Sequence, residues 1–405
     1  MKVLLLADGL EASSLSEPAM WLSEVAARWA ARGHHVQAVC TKPLESWQEP
    51  EDPPGVTVVR PPQETFEEVL GEALAMDPDA VHVATSGPLG PRVIEILRDL
   101  PVLLDVHDFW PICPNSDLLR RPRLDACGEH YPYSGCGACA GLSRMRAMEE
   151  KAALAAAARI VVAHSAFNRV RLNSGLGRPI ELLDYGVDTA RFTAEPEPPQ
   201  SPGVAAMLAA GDRPRVLFLG PPTPGRGAGL LLDLLVALLA RLPEAECVVA
   251  GRDPDNPDWQ QMFLTEAREM GLASHVRVFP AVPPDDMPAL VAACQVAIAP
   301  AVGHEPGGLF LLQAMAAGLP IVASPLGAIQ ELVHQGGEGL LVSPRDTSAF
   351  VTAIWTLLID PMARIAFGES GRLAAVEHHD FERTLFLLEE TYRRLRATPE
   401  HRAVA

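Results

Sequence analysis

A chain of 405 residues, 48% apolar and 21% charged, exceeds one ordinary core and divides most naturally into two domains of about 200 residues each. Its formal net charge of −18 excludes a nucleic-acid binder, which needs a basic footprint. The charge also excludes broad attachment to anionic lipid and leaves at most a peripheral membrane contact through Arg120-Arg121-Pro122-Arg123.

Met1–Ala7 is too short for a signal core before Asp8 interrupts it, so Lys2–Ala7 reads as a first buried strand. The most apolar long stretch, Leu230–Leu242, contains Asp233 and Arg241 and falls short of the ~20 residues of a membrane span. Ala19–Arg32 follows a helical spacing, and Gly33 stops it before the strand Val36–Cys40. Val56–Arg60, Ala80–Val83, Val102–Val106 and Ile160–Ala163 are further strands, with helical stretches at Thr65–Ala75 and Pro91–Arg98. Apolar strands alternating with helices predict a parallel sheet covered on both faces. Asp184-Tyr185-Gly186-Val187-Asp188 closes this half, and the Pro-rich stretch Glu195–Pro202 reads as a linker.

The pattern then restarts with the strand Arg215–Gly220, a Pro/Gly loop and the helix Gly229–Arg241. Strands follow at Cys247–Ala250, Val276–Phe279, Val296–Ala299, Ile321–Ala323 and Leu340–Val342, and a last helix at Phe381–Arg396. The fold class is α/β, with two Rossmann-like doubly wound domains at 1–195 and 205–378. The first carries a cysteine-rich insert at 111–141, and 379–405 forms a C-terminal helical segment. Ligands in such sheets bind outside the carboxyl ends of the strands, so a cleft between the domains is the expected site.

Residues 305–333 say most about the chemistry. Glu305 precedes Pro306 and the pair Gly307-Gly308, and the apolar helix from Leu309 through Gln313 ends at Gly318-Leu319-Pro320. Unpaired amides and the dipole at such a helix start suit a diphosphate. This layout resembles the donor-sugar motif of the retaining GT-B glycosyltransferases of family 4, in which two acids flank seven residues; here the second acid is Gln313. Arg215–Gly227 is similar to the strand and phosphate loop of that family, with Pro221 and Arg226 at its two customary cations, and Val276–Val282 stands where the backbone grips the base. The resemblance implies donor contacts from Gly220, Arg226, Gly307, Gly308, Leu309 and Gln313. It implies that Glu305 meets the transferred sugar and that His107, after the strand Val102–Val106, stands beside it. Asp108 either orients His107, meets the acceptor or caps a turn. Where the family has a Gly-Gly pair near the first strand, Gly9–Glu17 aligns Ser16 and Glu17, and a carboxylate there is expected to crowd and repel an anionic donor.

Cys113, Cys127, Cys136 and Cys139 fall in a segment rich in Gly, Pro and Tyr that cannot build its own core. Four thiolates suit structural zinc or an iron–sulfur cluster of the [4Fe–4S] type, with His130 a spare ligand; buried or free thiols are the alternative. Cys40, Cys247 and Cys294 lie in apolar runs and read as core. Seven cysteines without a signal core point to a reducing compartment, hence a cytoplasmic protein.

The resemblance implies transfer of a hexosyl group from a nucleotide-diphosphate sugar to a glycan, lipid-linked or small-molecule acceptor, without a catalytic metal. Two rival readings fit the same residues: a catalytically weak GT-B-like binding or scaffold protein, suggested by Pro221, Gln313 and Ser16-Glu17, and a nucleotide-sugar epimerase.

Overall fold

Two parallel sheets organise the chain. The structure, a computed structural model, describes residues 1–11, 16–42, 52–85, 89–129, 134–193, 195–211, 213–252 and 258–397. The first half carries β1 (Lys2–Ala7), β2 (His35–Cys40), β3 (Thr57–Val59), β4 (Ala80–Ala84) and β5 (Val102–Val106). A two-residue hairpin, β6 (Leu119–Arg120) and β7 (Asp125–Ala126), precedes β8 (Ile160–Ala163) and β9 (Glu181–Leu182). The first sheet runs β3-β2-β1-β4-β5-β8-β9. The second half adds β10 (Arg215–Leu219), β11 (Glu246–Ala250), β12 (Val276–Phe279), β13 (Val296–Ala299), β14 (Ile321–Ala323) and β15 (Gly339–Leu341). Its order is β12-β11-β10-β13-β14-β15. Leu4, Leu5 and Leu6 of β1, and likewise Val248 and Val249 of β11, are buried whichever face they point to, because helices cover both faces.

Strand order reverses beside the first strand of each sheet, between β1 and β4 and between β10 and β13. Loops leaving the carboxyl ends of these strands diverge there and open a crevice. The loops after β1, β10 and β13 carry Glu17, Arg226 and Glu305 into it.

The linker stretch is partly helical. Pro202–Ala209 forms a helix with proline at its first position, and Asp286 accepts the amides of Gln200 and Ser201 at 2.8 and 2.7 Å. Val204 and Met207 are buried on that helix, which therefore belongs to the second half. The Ala-rich run near 152–158 is the end of a longer helix, Leu142–Ala157, while the helix Ala166–Leu176 and strand β9 lie beyond the predicted elements. No single helix among the described residues is long and apolar enough to cross a membrane.

The last helix, Phe381–Ala397, returns to the first sheet. Tyr392 is fully buried, packs its ring 4.4 Å from that of Trp29 and bonds His82 Nδ1 at 2.6 Å. Arg394 grips Glu181 at its rim. Tyr392→Ala opens a cavity and orphans a buried imidazole nitrogen, so we expect a loss of about 3–5 kcal/mol. Urea unfolding checks this, and a loss under about 1 kcal/mol shows that the helix contributes little to the first domain.

Candidate active site at the domain seam

The seam is built on one shared cation. Glu17 is the first residue of the helix Glu17–Ala31, Arg226 ends a short turn after β10, and Glu305 follows β13. Arg226 Nη2 donates to Glu17 at 2.7 Å and to Glu305 at 2.9 Å, and its guanidinium lies 5.1 Å from the centre of the Phe310 ring. Gly220, at φ 106°, leaves no room for a side chain: a Cβ would run into Arg226 and Phe310. Its role in this arrangement is to admit the arginine.

The start of helix Leu309–Ala316 faces the first domain, but its amides at Gly307 and Gly308 donate to the carboxylate of Glu305. Burial, reinforced by Glu17, pushes Glu305 up to about 7 against the pull of Arg226 and these amides. Burial also works against the charge of Arg226, but Glu305 and Glu17 outweigh it and raise the guanidinium. Both groups rise, because two acids stabilise the one guanidinium while burial and the second acid work against the charge of Glu305. Glu17 thus repels Glu305 yet is itself held by Arg226, completing a pair across the seam. Ser16 precedes that helix without a side-chain capping bond.

Behind this bridge lies a second cluster. Asp105, 1% exposed at β5, accepts His164 Nε2 at 2.6 Å and His82 Nε2 at 3.0 Å, with His107 Nε2 at 3.4 Å. Burial alone would raise Asp105, yet the facing His107 and His164 hold it well below the usual carboxylate range. Burial lowers His107. Asp105, His107 and His164 bring three ligand atoms within 4.8 Å of one another, but both oxygens of Asp105 are already engaged by imidazoles. Tyr185 joins the two clusters. Its hydroxyl meets His107 Nδ1 at 2.5 Å, its ring stacks on His164 at 4.0 Å, and Trp21 sets its edge against both. Gly307 lies flat on Tyr185, where a Cβ would collide with the ring.

A cavity of about 450 Å³ runs along the seam between Met20 and Glu24 on one side and Met287, Leu309 and Gln313 on the other. Gln313 is 6% exposed and its Oε1 has no hydrogen-bond partner. The space beside Glu17, Arg226, Glu305 and Phe310 is far smaller, about 30 Å³. Ser165 donates to the carbonyl of Pro306 at 2.6 Å, and Glu331 accepts the Ala166 and Phe167 amides at 2.8 and 2.5 Å, so both halves brace a neighbouring opening walled by His164, Tyr185 and Gly307.

The structure therefore gathers Gly220, Arg226, Glu305, Gly307, Gly308, Leu309 and Gln313 at one seam. His107 stands one side chain back, behind Tyr185. Asp108 takes the turn-capping part: its carboxylate accepts the Trp110 amide at 2.5 Å, and burial pushes it up to about 7. Pro284, Asp285 and Met287 line the cavity just beyond the segment Val276–Val282. Gly9–Glu17 is described only at its ends, and His130 lies outside the described residues. Tyr185, Trp21, His82, Asp105 and His164 were missed by sequence reasoning. The available signal was Asp105 and His82 inside apolar strands, since buried polar groups demand partners.

Residues 213–360 match the family model of Glycosyl transferases group 1, and residues 18–186 that of the Glycosyl transferase 4-like domain. The chain is 32% identical over 227 residues to a GDP-mannose-dependent alpha-(1-6)-phosphatidylinositol monomannoside mannosyltransferase of Mycolicibacterium smegmatis, over 54% of this chain and 58% of the relative. It is 30% identical over 224 residues to a D-inositol 3-phosphate glycosyltransferase of Corynebacterium urealyticum, over 55% and 52%. The chain thus spans about half the length of the curated relatives it matches. A sucrose-phosphate synthase from Thermosynechococcus elongatus superposes with TM-score 0.76 at 21% identity, over 98% of this chain and all (100%) of that one. Anabaena HepE in complex with UDP-glucose gives 0.71 at 18%, over 97% and 100%. At these identities the solved structures share the fold.

The raised Glu305 has a consequence for stability. Between about 4.5 and about 7 the folded chain holds a proton that the unfolded chain has released, so this contribution is complete below that window and is lost as pH rises through it. Glu305→Gln is expected to raise Tm more at about pH 8 than at about pH 5, by a few degrees. Equal shifts at both pH values in a thermal melt would contradict a buried, reluctant carboxylate.

Proposed function

We propose that this chain, which belongs to the family 4 glycosyltransferases of GT-B fold, moves a sugar from a nucleoside-diphosphate donor to an acceptor hydroxyl with retention at the anomeric carbon. The observation that carries this reading is Gln313, buried with an unpartnered carbonyl oxygen on the wall of the seam cavity. A ribose hydroxyl satisfies that oxygen, and a nucleoside fills the space between Met20 and Met287. The diphosphate then extends toward Arg226 and the amides of Gly307 and Gly308, whose charge and dipoles stabilise the leaving group. Glu305 turns to the sugar hydroxyls, and Tyr185, backed by His107 and Asp105, forms the opposite wall. The acceptor oxygen attacks the anomeric carbon on the face of the departing diphosphate. The bond from carbon to phosphate oxygen breaks with its electron pair on phosphate, which takes the acceptor proton.

Relatives named for GDP-mannose and for phosphatidylinositol mannosides support a hexose donor and a lipid-linked or glycan acceptor. A local membrane contact through Arg120 is compatible with such an acceptor, whereas Arg121 is already bound to Asp117 at 2.8 Å. One observation favours the weak-binder reading: both carboxylates already hold Arg226, so a diphosphate must displace Glu17.

Two experiments decide. UDP- and GDP-sugars are titrated against the chain and assayed for transfer and hydrolysis; binding in the micromolar range is expected, and Arg226→Ala is expected to cost about 100-fold in kcat/KM. No binding at about 1 mM by any donor defeats the transferase reading. Glu17→Ala frees the cation from one competitor and should lower donor KM about tenfold; an unchanged or higher KM shows that Glu17 does not compete with donor.

A further inference from the structure

The cysteine-rich insert converges on one cavity. Cys113 lies in the turn after β5, Cys127 directly follows β7, and Cys136 and Cys139 are on the short helix Cys136–Ala140. All four line a cavity of about 210 Å³, together with Ile112, Leu118 and other insert residues. Amide donors reach the sulfurs of Cys113 and Cys139, whereas Cys127 Sγ faces the Glu129 carbonyl at 3.9 Å. The amides of Asn115, Leu118 and Asp117 point at the Cys113 sulfur, although burial outweighs them and raises the thiol. Cys139 Sγ accepts from the Arg121 amide and from Asn115 Nδ2, both at 3.4 Å; when protonated it donates to the Leu119 carbonyl at 3.6 Å. Amide donors around cysteine sulfur stabilise thiolate and tune a bound centre. None of the seven cysteines forms a disulfide.

From this convergence we propose that Cys113, Cys127, Cys136 and Cys139 hold an iron–sulfur cluster. Zinc with four Zn–S bonds of about 2.3 Å draws its sulfurs to about 3.8 Å apart. Among the described residues the only three ligand atoms within 4.8 Å of one another belong to Asp105, His107 and His164, so the cysteine sulfurs stand wider than a single ion requires. Four spaced thiols around one cavity, whose lining also includes Asn115, Arg120, Arg121 and Glu129, match a polynuclear cluster better than one ion. Each thiol releases its proton on binding. Most of residues 120–129 are half-buried or exposed, and this stretch contributes little core, so ligation holds it where packing does not.

The cluster is tied to the donor loop. The Cys127 carbonyl accepts the His304 ring and Arg171 Nη2 at 3.3 Å, and His304 is the neighbour of Glu305. Arg345 of the second half donates to the carbonyls of Arg123, at 3.1 Å, and Leu124. The insert is therefore a strut between the halves, and its order reaches the Gly303–Glu305 loop.

The test is purification of the full chain without oxygen, followed by iron, zinc and acid-labile sulfide assays and a visible spectrum. Iron and sulfide in equal amounts, about four of each per chain, with broad visible absorption, are expected. Cys139→Ser should lose that absorption and most of the iron, whereas the buried core variant Cys247→Ala should keep both. A colourless chain without iron that also fails to take up iron and sulfide on reconstitution overturns the proposal, and so does one zinc per chain without iron. These readouts are independent of glycosyl transfer, so a failed cluster and a failed transferase are separately visible.

Discussion

A single guanidinium carries the chemistry of the seam. Arg226 is the cation between two buried carboxylates that come from opposite halves of the chain. Removing two acids from water is costly unless a cation and hydrogen bonds compensate. Here the compensation is unequal, because Glu305 gains two glycine amides and still rises in pKa. The seam is thus held by an interaction that an incoming anion competes for directly. On the proposed reading a diphosphate replaces one of the carboxylates on Arg226, and the contact that closes the halves in this structure then doubles as the recognition element.

The first domain supplies a stiffer wall. Asp105 gathers imidazoles from three strands or their ends, and Trp21, from the helix that begins at Glu17, presses against the ring stack. Such a network is worth having only when every member is satisfied, and its weakest member is His107 Nε2, which faces Asp105 at 3.4 Å without hydrogen-bond geometry. Because Tyr185 lies between His107 and Glu305, any role for His107 at the sugar runs through the tyrosine hydroxyl or follows its movement.

Much of this arrangement was legible in the residues. Apolar runs marked the strands of both sheets within one or two residues, since strands buried on both faces leave little alternative. The acid, glycine pair and apolar helix at Glu305–Gln313 marked the second domain's side of the seam. What stayed hidden depended on tertiary pairing. Glu17 looked repulsive because its partner lies 209 positions away. Tyr185 read only as part of the segment Asp184–Asp188 that closes the first half, and nothing local shows that it faces Gly307. Helix Ala166–Leu176 escaped notice because its polar composition yields no apolar stripe; its start is instead held by Ser165 and Glu331.

The departures from the family pattern compensate one another. Losing the customary cation at Pro221 leaves Arg226 alone, and a single arginine facing a glycine loop would sit in the seam with only Glu305 to balance it. Glu17 supplies a second anion and Phe310 a flat π face, so the isolated cation keeps a fixed position without a donor. That order opposes donor binding, because the ligand must outbid a ready-made partner. The same exchange also couples binding to motion: once diphosphate takes Arg226, Glu17 is left as an unpaired buried carboxylate, which favours moving the helix Glu17–Ala31 relative to the second domain. Where the resembled family has glycines, this chain has the charge of Glu17 on Arg226, and on the proposed reading its displacement would make donor entry and seam rearrangement one event.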